Sequence, residues 1–238
     1  MTAFRAIIFS AALAGLIVGC FVTLAQHLSI VPLILRAEVY ERQSEAKEHV
    51  HATATPGGPA VHEHEHAAAA WEPADGLERN AYSALFNVLE WIGFGLLLNG
   101  AFVLLRRDVT WREGFLWGLG AFVVFVIAPG IGLPPELPGM PTAELLDRQL
   151  WWAATVVATA AGLMLIAFRR TPIAAVLAIA VIAAPHLLGA PRLAEVETNI
   201  PEMLSRQFIV AVTLTALPCW ALLGGLTGHF YRRFSAAA

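Results

Sequence analysis

The chain has 238 residues, of which 58% are hydrophobic and only 14% are charged, and its mean hydropathy is +0.65. A water-soluble domain carries about 25% charged residues. This composition therefore excludes a soluble enzyme and a nucleic-acid-binding protein, and it indicates a chain whose surface faces lipid. The two cysteines, Cys20 and Cys219, both lie in apolar runs, so we expect small buried hydrophobes rather than a disulfide or metal ligands.

Six apolar stretches approach the roughly 20 residues needed to cross a bilayer. They are Phe4–Leu28, Leu85–Leu105, Trp111–Ala128, Leu150–Phe168, Pro172–Leu188 and Phe208–Phe230. We expect an all-α polytopic membrane bundle, a single integral membrane domain over residues 1–238, in which the six spans form three antiparallel hairpins. The third and fifth stretches are short, so five spans is the competing count.

Basic residues predict the orientation of the spans. On the six-span reading, every even-numbered span ends in an arginine pair on the same side, at Arg106-Arg107, Arg169-Arg170 and Arg232-Arg233. Most of the 18 acidic residues lie in the opposite loops. The positive-inside rule then places both termini in the cytoplasm and the loop of residues 37–79 outside. An odd number of spans would separate these arginine pairs, which favours six.

The first span has an alternative interpretation. Arg5 followed by an apolar run that ends at Cys20 is also the pattern of a lipoprotein signal. The apolar run continues through Ala25, however, where a lipoprotein turns polar. A transmembrane helix is therefore favoured.

The last four spans indicate an internal repeat. Glu144 and Arg148 precede span four at i,i+4, and Glu202 and Arg206 precede span six in the same way. Spans three and five both end in Ala-Pro. We expect spans three–four and five–six to be related hairpins, unless proline and arginine simply recur at membrane ends. The five prolines between Pro129 and Pro141 predict an extended loop.

The loop between spans one and two carries most of the eight histidines. Residues 37–50 predict a short helix, and residues 51–70 predict a disordered Ala-, Pro-, Gly- and His-rich tract. Within that tract His62, His64 and His66 alternate with two glutamates, so three imidazoles share one face of an extended chain. Imidazole suits Zn, Cu, Ni and Co. The same letters spell the H-E-x-x-H zinc protease motif, but no preorganised helix or third-ligand segment accompanies them.

One acidic residue lies deep within an apolar stretch, away from its ends. Glu90 is about 10 Å below the outer surface at a rise of about 1.5 Å per residue. An intramembrane acid is a functional hypothesis by default and is expected to face the bundle interior. Asn87 precedes it at i−3, and His27 and His186 lie at the outer ends of spans one and five. We expect Glu90, His186 and His27 to form a metal site beneath the loop, against the alternative of structural or interfacial roles.

Four segments resemble the CbtA family of cobalt transporter subunits. They are PLILRAEVYE at 32–41, LPPELPGMP at 133–141, RQLWW at 148–152 and PHLLGAP at 185–191. The resemblance covers nearly the whole chain. It implies a bacterial inner (plasma) membrane protein in cobalt uptake for cobalamin synthesis, and a small single-span companion subunit with a His-rich tail. The family is commonly described with five spans, against the six favoured by charge.

These observations together predict a non-enzymatic subunit of a Co²⁺ uptake transporter that needs no cofactor. The histidine loop captures the ion and the bundle passes it on. The chain has no P-loop, so energy comes from a gradient or from another subunit. Two alternatives remain: a metal-binding scaffold or sensor that does not transport, and a transporter for another divalent metal such as nickel or zinc.

Reporter fusions test the predicted topology. A reporter fused after residue 238 is expected to be active in the cytoplasm, and reporters fused within residues 51–66 are expected to be active outside, because the arginine pairs hold their side of the bundle inside. A C-terminus found outside contradicts the six-span topology.

Overall fold

A computed structural model describes residues 3–53, 73–105, 109–193 and 198–236, with side chains described from residue 4 and not over 44–53. The described chain is all-helical, as the sequence predicts. The helices are α1 (Ala3–Ser29), α2 (Val31–Thr53), α3 (Leu77–Leu104), α4 (Trp111–Phe122), a π-helix (Val123–Ile127), α5 (Ala128–Gly132), α6 (Leu145–Arg169), α7 (Pro172–Leu188) and α8 (Glu202–Ala236).

Five of these helical segments, among the described residues, are long and apolar enough to cross a membrane: α1, α3, the run from α4 to α5, α6 and α8. The fifth apolar run forms the shorter helix α7, with the bounds that the sequence predicts. It is 17 residues long and therefore spans about 25 Å. It runs antiparallel to α6, because Trp151 on α6 bonds Pro185 while Gly162 faces Ile182. All six predicted apolar runs are thus helices. Whether the chain has five or six spans depends on α7.

Helices α1 and α3 form the first predicted hairpin. Gly15 of α1 lies against Ile92, and Gly19 lies against Val88, so the two backbones approach closely. Small residues give such approach in membrane helices, where packing rather than the hydrophobic effect drives association. The Asn99 amide adds a buried bond to Ser10 Oγ at 2.9 Å. We call the end with the α1–α2 junction the loop end of the bundle and the opposite end the arginine end.

The other four spans do not pack as the predicted hairpins three–four and five–six, and this part of the predicted arrangement is wrong. The third span packs mainly on α8, and α6 packs mainly on α7. Glycines explain the first pairing: Gly114 and Gly118 on α4 meet Gly224 and Gly228 on α8, each pair spaced at i,i+4. Because spans three–four and five–six differ in packing order, the structure contradicts the predicted repeat of two like hairpins.

The third span contains a π-helical turn that accommodates a proline. Pro129 follows the π-helix and lies in helix α5, so the prediction that all five prolines are in extended chain is wrong for this one. Proline lacks an N–H and clashes with the preceding helical turn, and a wider π turn relieves both constraints. The chain leaves the helix only after Gly132, and residues 133–144 then form the proline-rich segment.

Helix α2 packs onto the loop end. It begins at Val31 rather than at residue 37, and its second residue is Pro32, which fits a first helical turn. Ala37 and Ile30 pack with Leu137 of the proline-rich segment and with Leu204 and Phe208 of α8. Arg79 at the start of α3 contacts Glu38 at 2.6 Å. The helix reaches Thr53, so residues 51–53 are helical, and the predicted disorder of residues 54–70 lies outside the described residues.

The α4–α8 crossing gives a direct stability test. A methyl group on Gly224 would lie 2.6 Å from the Gly118 nitrogen, so Gly224→Ala must force two backbones apart. We expect the free energy of unfolding to fall by about 1–3 kcal/mol, measured by denaturant titration in detergent micelles.

Gly120→Ala is the matched control for this prediction. It adds the same methyl group to the same helix pair, but nothing lies within 4 Å of it. Equal losses of stability for the two variants would mean that helix propensity, rather than close packing, explains the effect.

Candidate functional site

At the loop end, a chamber opens between three parts of the bundle. They are the helical run from the π-helix to α5, helix α6 and helix α8. The volume of the chamber is about 1290 Å³, and the proline-rich segment covers it. Most lining residues are apolar, including Phe125, Trp152 and Phe208. Apart from its packing on α7, helix α6 contacts the bundle mainly through the π-helix and α5. Helices α4 and α8 are held together by their glycines, so a chamber is left beside α6.

One ion pair supplies the charge in this chamber. Arg148 Nη2 donates to Glu136 Oε2 at 2.6 Å, and both side chains are about a quarter exposed. Among the residues that line the chamber, these two are the charged ones. The predicted i,i+4 pairing of Arg148 with Glu144 is therefore replaced by a contact across the proline-rich segment. The Arg148 Nε atom is buried and bonds no other group of the described chain, so one donor of the guanidinium is unsatisfied.

Neutral polar side chains and a methionine also line the chamber. Gln149 and Thr213 line the chamber, as does Met140. The Ser205 hydroxyl donates to the Met140 sulfur at 3.7 Å. A carboxylate, an amide, a hydroxyl and a thioether side chain therefore line one cavity.

The predicted histidine site cannot be placed. His62, His64 and His66 lie outside the described residues, so their role stays a prediction. Among the described residues, no group of three or more His, Cys, Asp or Glu side chains is arranged to hold a metal ion. The expected cluster of Glu90, His27 and His186 is therefore not formed within the described residues.

The three residues of that expected cluster lie on different surfaces. Glu90 is exposed on α3, so the expectation that it faces the bundle interior is wrong. His27 is exposed at the loop end of α1. His186 packs its ring against Trp151, with ring centroids 5.6 Å apart, on α7, which packs on α6 and not on α3. Asn87 turns toward α1, where its amide donates to Thr23 and Gln26.

Sequence reasoning missed the Glu136–Arg148 pair as a site. A signal was present, because both residues lie in segments that carry the family resemblance: Glu136 in LPPELPGMP and Arg148 in RQLWW. What concealed the pair was Glu144, which stands at i−4 from Arg148 and offers the simpler helical partner. Only the fold of the proline-rich segment brings Glu136 back over α6.

The fold and the chamber define a polytopic α-helical membrane protein with a charged pocket at one end of its bundle. The chain belongs to the CbtA family, whose model, described as a probable cobalt transporter subunit, matches residues 4–232. No curated protein matches the chain, and no solved structure does. The family therefore supports a transporter subunit as the class, and the chamber is described from this structure alone.

Replacing Glu136 tests whether the ion pair holds the proline-rich segment. Glu136→Gln leaves the Arg148 guanidinium partly buried without its counter-charge, so we expect the free energy of unfolding in detergent to fall by about 1–3 kcal/mol. Glu202→Gln is the matched control, because Glu202 contacts Arg206 at the same 2.6 Å but both side chains are largely exposed. An exposed pair contributes about 0–1 kcal/mol. Equal effects for both variants would contradict the structural role of the chamber pair.

Proposed function

We propose that this chain is the membrane-embedded subunit of a Co²⁺ uptake system. The histidine loop is the capture site, and the loop-end chamber is the site that next binds the ion. The observation that carries the proposal is the family match over residues 4–232. The chamber supports it, since it lies at the end of the bundle where α3 begins, and the histidine loop lies between α2 and α3 in the chain. We further propose that this end faces the outside of a bacterial inner membrane, as the arginine pairs predict.

The histidine loop is suited to capture rather than to conduction. Solvated histidines have a pKa of about 6.5 and are mostly neutral at pH 7, so His62, His64 and His66 are ready to bind a divalent ion. A segment rich in Ala, Pro and Gly must lose chain entropy when three imidazoles converge on one ion. Weak and rapidly reversible binding follows, which suits the delivery of an ion to a second site.

The chamber is suited to receive the ion because Glu136 supplies a carboxylate. Arg148 contacts that carboxylate at 2.6 Å. A divalent cation competes with the guanidinium for Glu136, so its binding releases Arg148 to another acceptor. The proline-rich segment carries Glu136, whereas α6 carries Arg148, so the exchange loosens the contact between them.

A second candidate function is a metal-binding scaffold that does not conduct ions by itself. It is favoured by the apolar cluster of Trp91, Phe94, Phe125 and Trp220, which packs between the chamber and the arginine end. A hydrated cation is poorly stabilised along such a path. On the transport hypothesis, the ion path therefore runs along an interface with another subunit, consistent with the family's description as a subunit.

Uptake of radioactive Co²⁺ into reconstituted vesicles separates these candidates. Vesicles with this chain and a small single-span companion subunit are expected to accumulate Co²⁺ down an imposed gradient, and vesicles with either component alone are expected to accumulate less. Metal binding without uptake under every condition would favour the scaffold. Competition by Ni²⁺ and Zn²⁺ in the same assay determines which metal is preferred.

The loop histidines generate a concentration-dependent prediction. Replacing His62, His64 and His66 together by Ala is expected to raise the Co²⁺ concentration for half-maximal uptake by about tenfold, equivalent to about 1.4 kcal/mol, and to spare the maximal rate. His229→Ala, which removes an exposed imidazole at the arginine end, is the control. A loss that is equal at all Co²⁺ concentrations would place the three histidines in the conduction path instead.

A further inference from the structure

Glu90 is a carboxylate on the outward face of a membrane-spanning helix. Its side chain is exposed, and it has no hydrogen-bond or ion-pair partner in the described part of the chain. Its neighbours Phe86 and Leu89 are also exposed, at 65% and 54%, and both are apolar. Lipid offers such a group neither a donor nor a counter-charge, so an isolated position in the bilayer is unfavourable.

The face of α3 that carries Glu90 continues into a groove. Phe94, Leu97 and Ala101 follow Glu90 at i+4, i+7 and i+11, which places all four residues on one helical stripe. The last three line a groove of about 410 Å³ whose other walls are α4, the π-helix and α6, with Trp220 of α8, and we call it the α3 groove. Its lining is almost wholly apolar, and it lies toward the arginine end from Glu90.

The space beside Glu90 is open to a close neighbour. A methyl group built on Gly93 meets no atom within 4 Å. In membrane helices, a glycine on an open face lets another helix backbone approach to packing distance. Glu90, Gly93 and the α3 groove therefore form one continuous surface, polar at one point and apolar along the rest.

Charge complementarity argues against a second copy of this chain as the occupant. A two-fold dimer through this face would bring Glu90 toward its own symmetry mate, and two like charges repel in a medium of low dielectric. The Lys and Arg residues of the described spans lie near the helix ends, as Arg112 and Arg169 do, and not at the depth of Glu90. For an ionised Glu90, the complementary occupant is therefore one that brings its own donor or positive charge.

We propose that a transmembrane helix of a different subunit lies in the α3 groove and donates a hydrogen bond or a positive charge to Glu90. Its chemistry is an apolar helix face with one Lys, Arg, His or amide side chain at the depth of Glu90. The identification of this helix with the companion subunit rests on the proposed function. The contact surface itself rests on Glu90 and the groove.

Site-specific photocrosslinking in native membranes tests the proposal. The photoreactive residue benzoyl-phenylalanine replaces Leu97 in the groove, which is 59% exposed, in cells that also express an epitope-tagged single-span companion. Val176 on α7, which is 66% exposed, is the matched control position. After irradiation, the Leu97 probe is expected to give an adduct with the mass of chain plus companion, and the Val176 probe is expected to give none.

Glu90 variants then test the polar contact. Glu90→Leu is expected to lower the yield of the Leu97 adduct by about three- to thirtyfold, the range for loss of one membrane hydrogen bond, and Glu90→Gln is expected to lower it less. The amount of inserted chain is the control for folding, since leucine at an exposed membrane position favours insertion. Three results would each overturn the proposal. They are equal adduct yields at Leu97 and Val176, adducts with lipid or with a second copy only, and an effect of Glu90→Leu confined to insertion.

This experiment separates the docking surface from the transport proposal, because crosslinking requires no Co²⁺. An adduct that depends on Glu90 without any Co²⁺ uptake would retain the surface and reject the transport function. Uptake that needs the companion, without an adduct at Leu97, would retain the function and reject this surface.

Discussion

Close backbone contact between helices is the constraint on which the rest of this structure depends. Within a bilayer, apolar side chains gain little from leaving lipid, so helices associate where their shapes allow backbones to meet. Here Gly15 and Gly19 fix α1 against α3, and Gly114 and Gly118 fix α4 against α8. Helix α1 also packs against α8, so these four spans form one unit.

The α6–α7 hairpin is attached to that unit differently, and both candidate surfaces result from the difference. Its described contacts to the four-helix unit run mainly through the π-helix and α5, with Trp151 over Gly132 and Trp152 near Phe125. Since α6 stands away from α8 and α3 elsewhere, the chamber is left toward the loop end and the α3 groove toward the arginine end. The π turn that accommodates Pro129 thus lies at the main junction between the two parts among the described residues.

The sequence predicted the helices well and their neighbours poorly. Hydropathy located all six apolar runs, and the bounds of α7 were predicted to the residue. Hydropathy carries no information about which helix packs on which, so the α4–α8 pairing required the glycine contacts. Glu90 was expected to face inward because a carboxylate is energetically unfavourable in lipid. That argument assumes an isolated chain. Glu136 was missed because its partner lies across a folded loop rather than at a helical spacing.

Polar groups in the bundle follow a pattern that bears on how a cation is handled. Inside the four-helix unit, the buried polar side chains are neutral, as in the bonds of Asn87 to Gln26 and of Asn99 to Ser10. The Asn87 and Asn99 amide groups tie helices together through these bonds, while the buried Asn99 Oδ1 and Thr227 Oγ1 atoms have no partner among the described residues. The carboxylates that a divalent ion needs lie elsewhere, with Glu136 in the chamber and Glu90 on the outer face of α3. On the transport proposal, a path that uses both carboxylates would leave the interior of this chain and follow its surface, where the proposed second subunit would supply further ligands and the other wall.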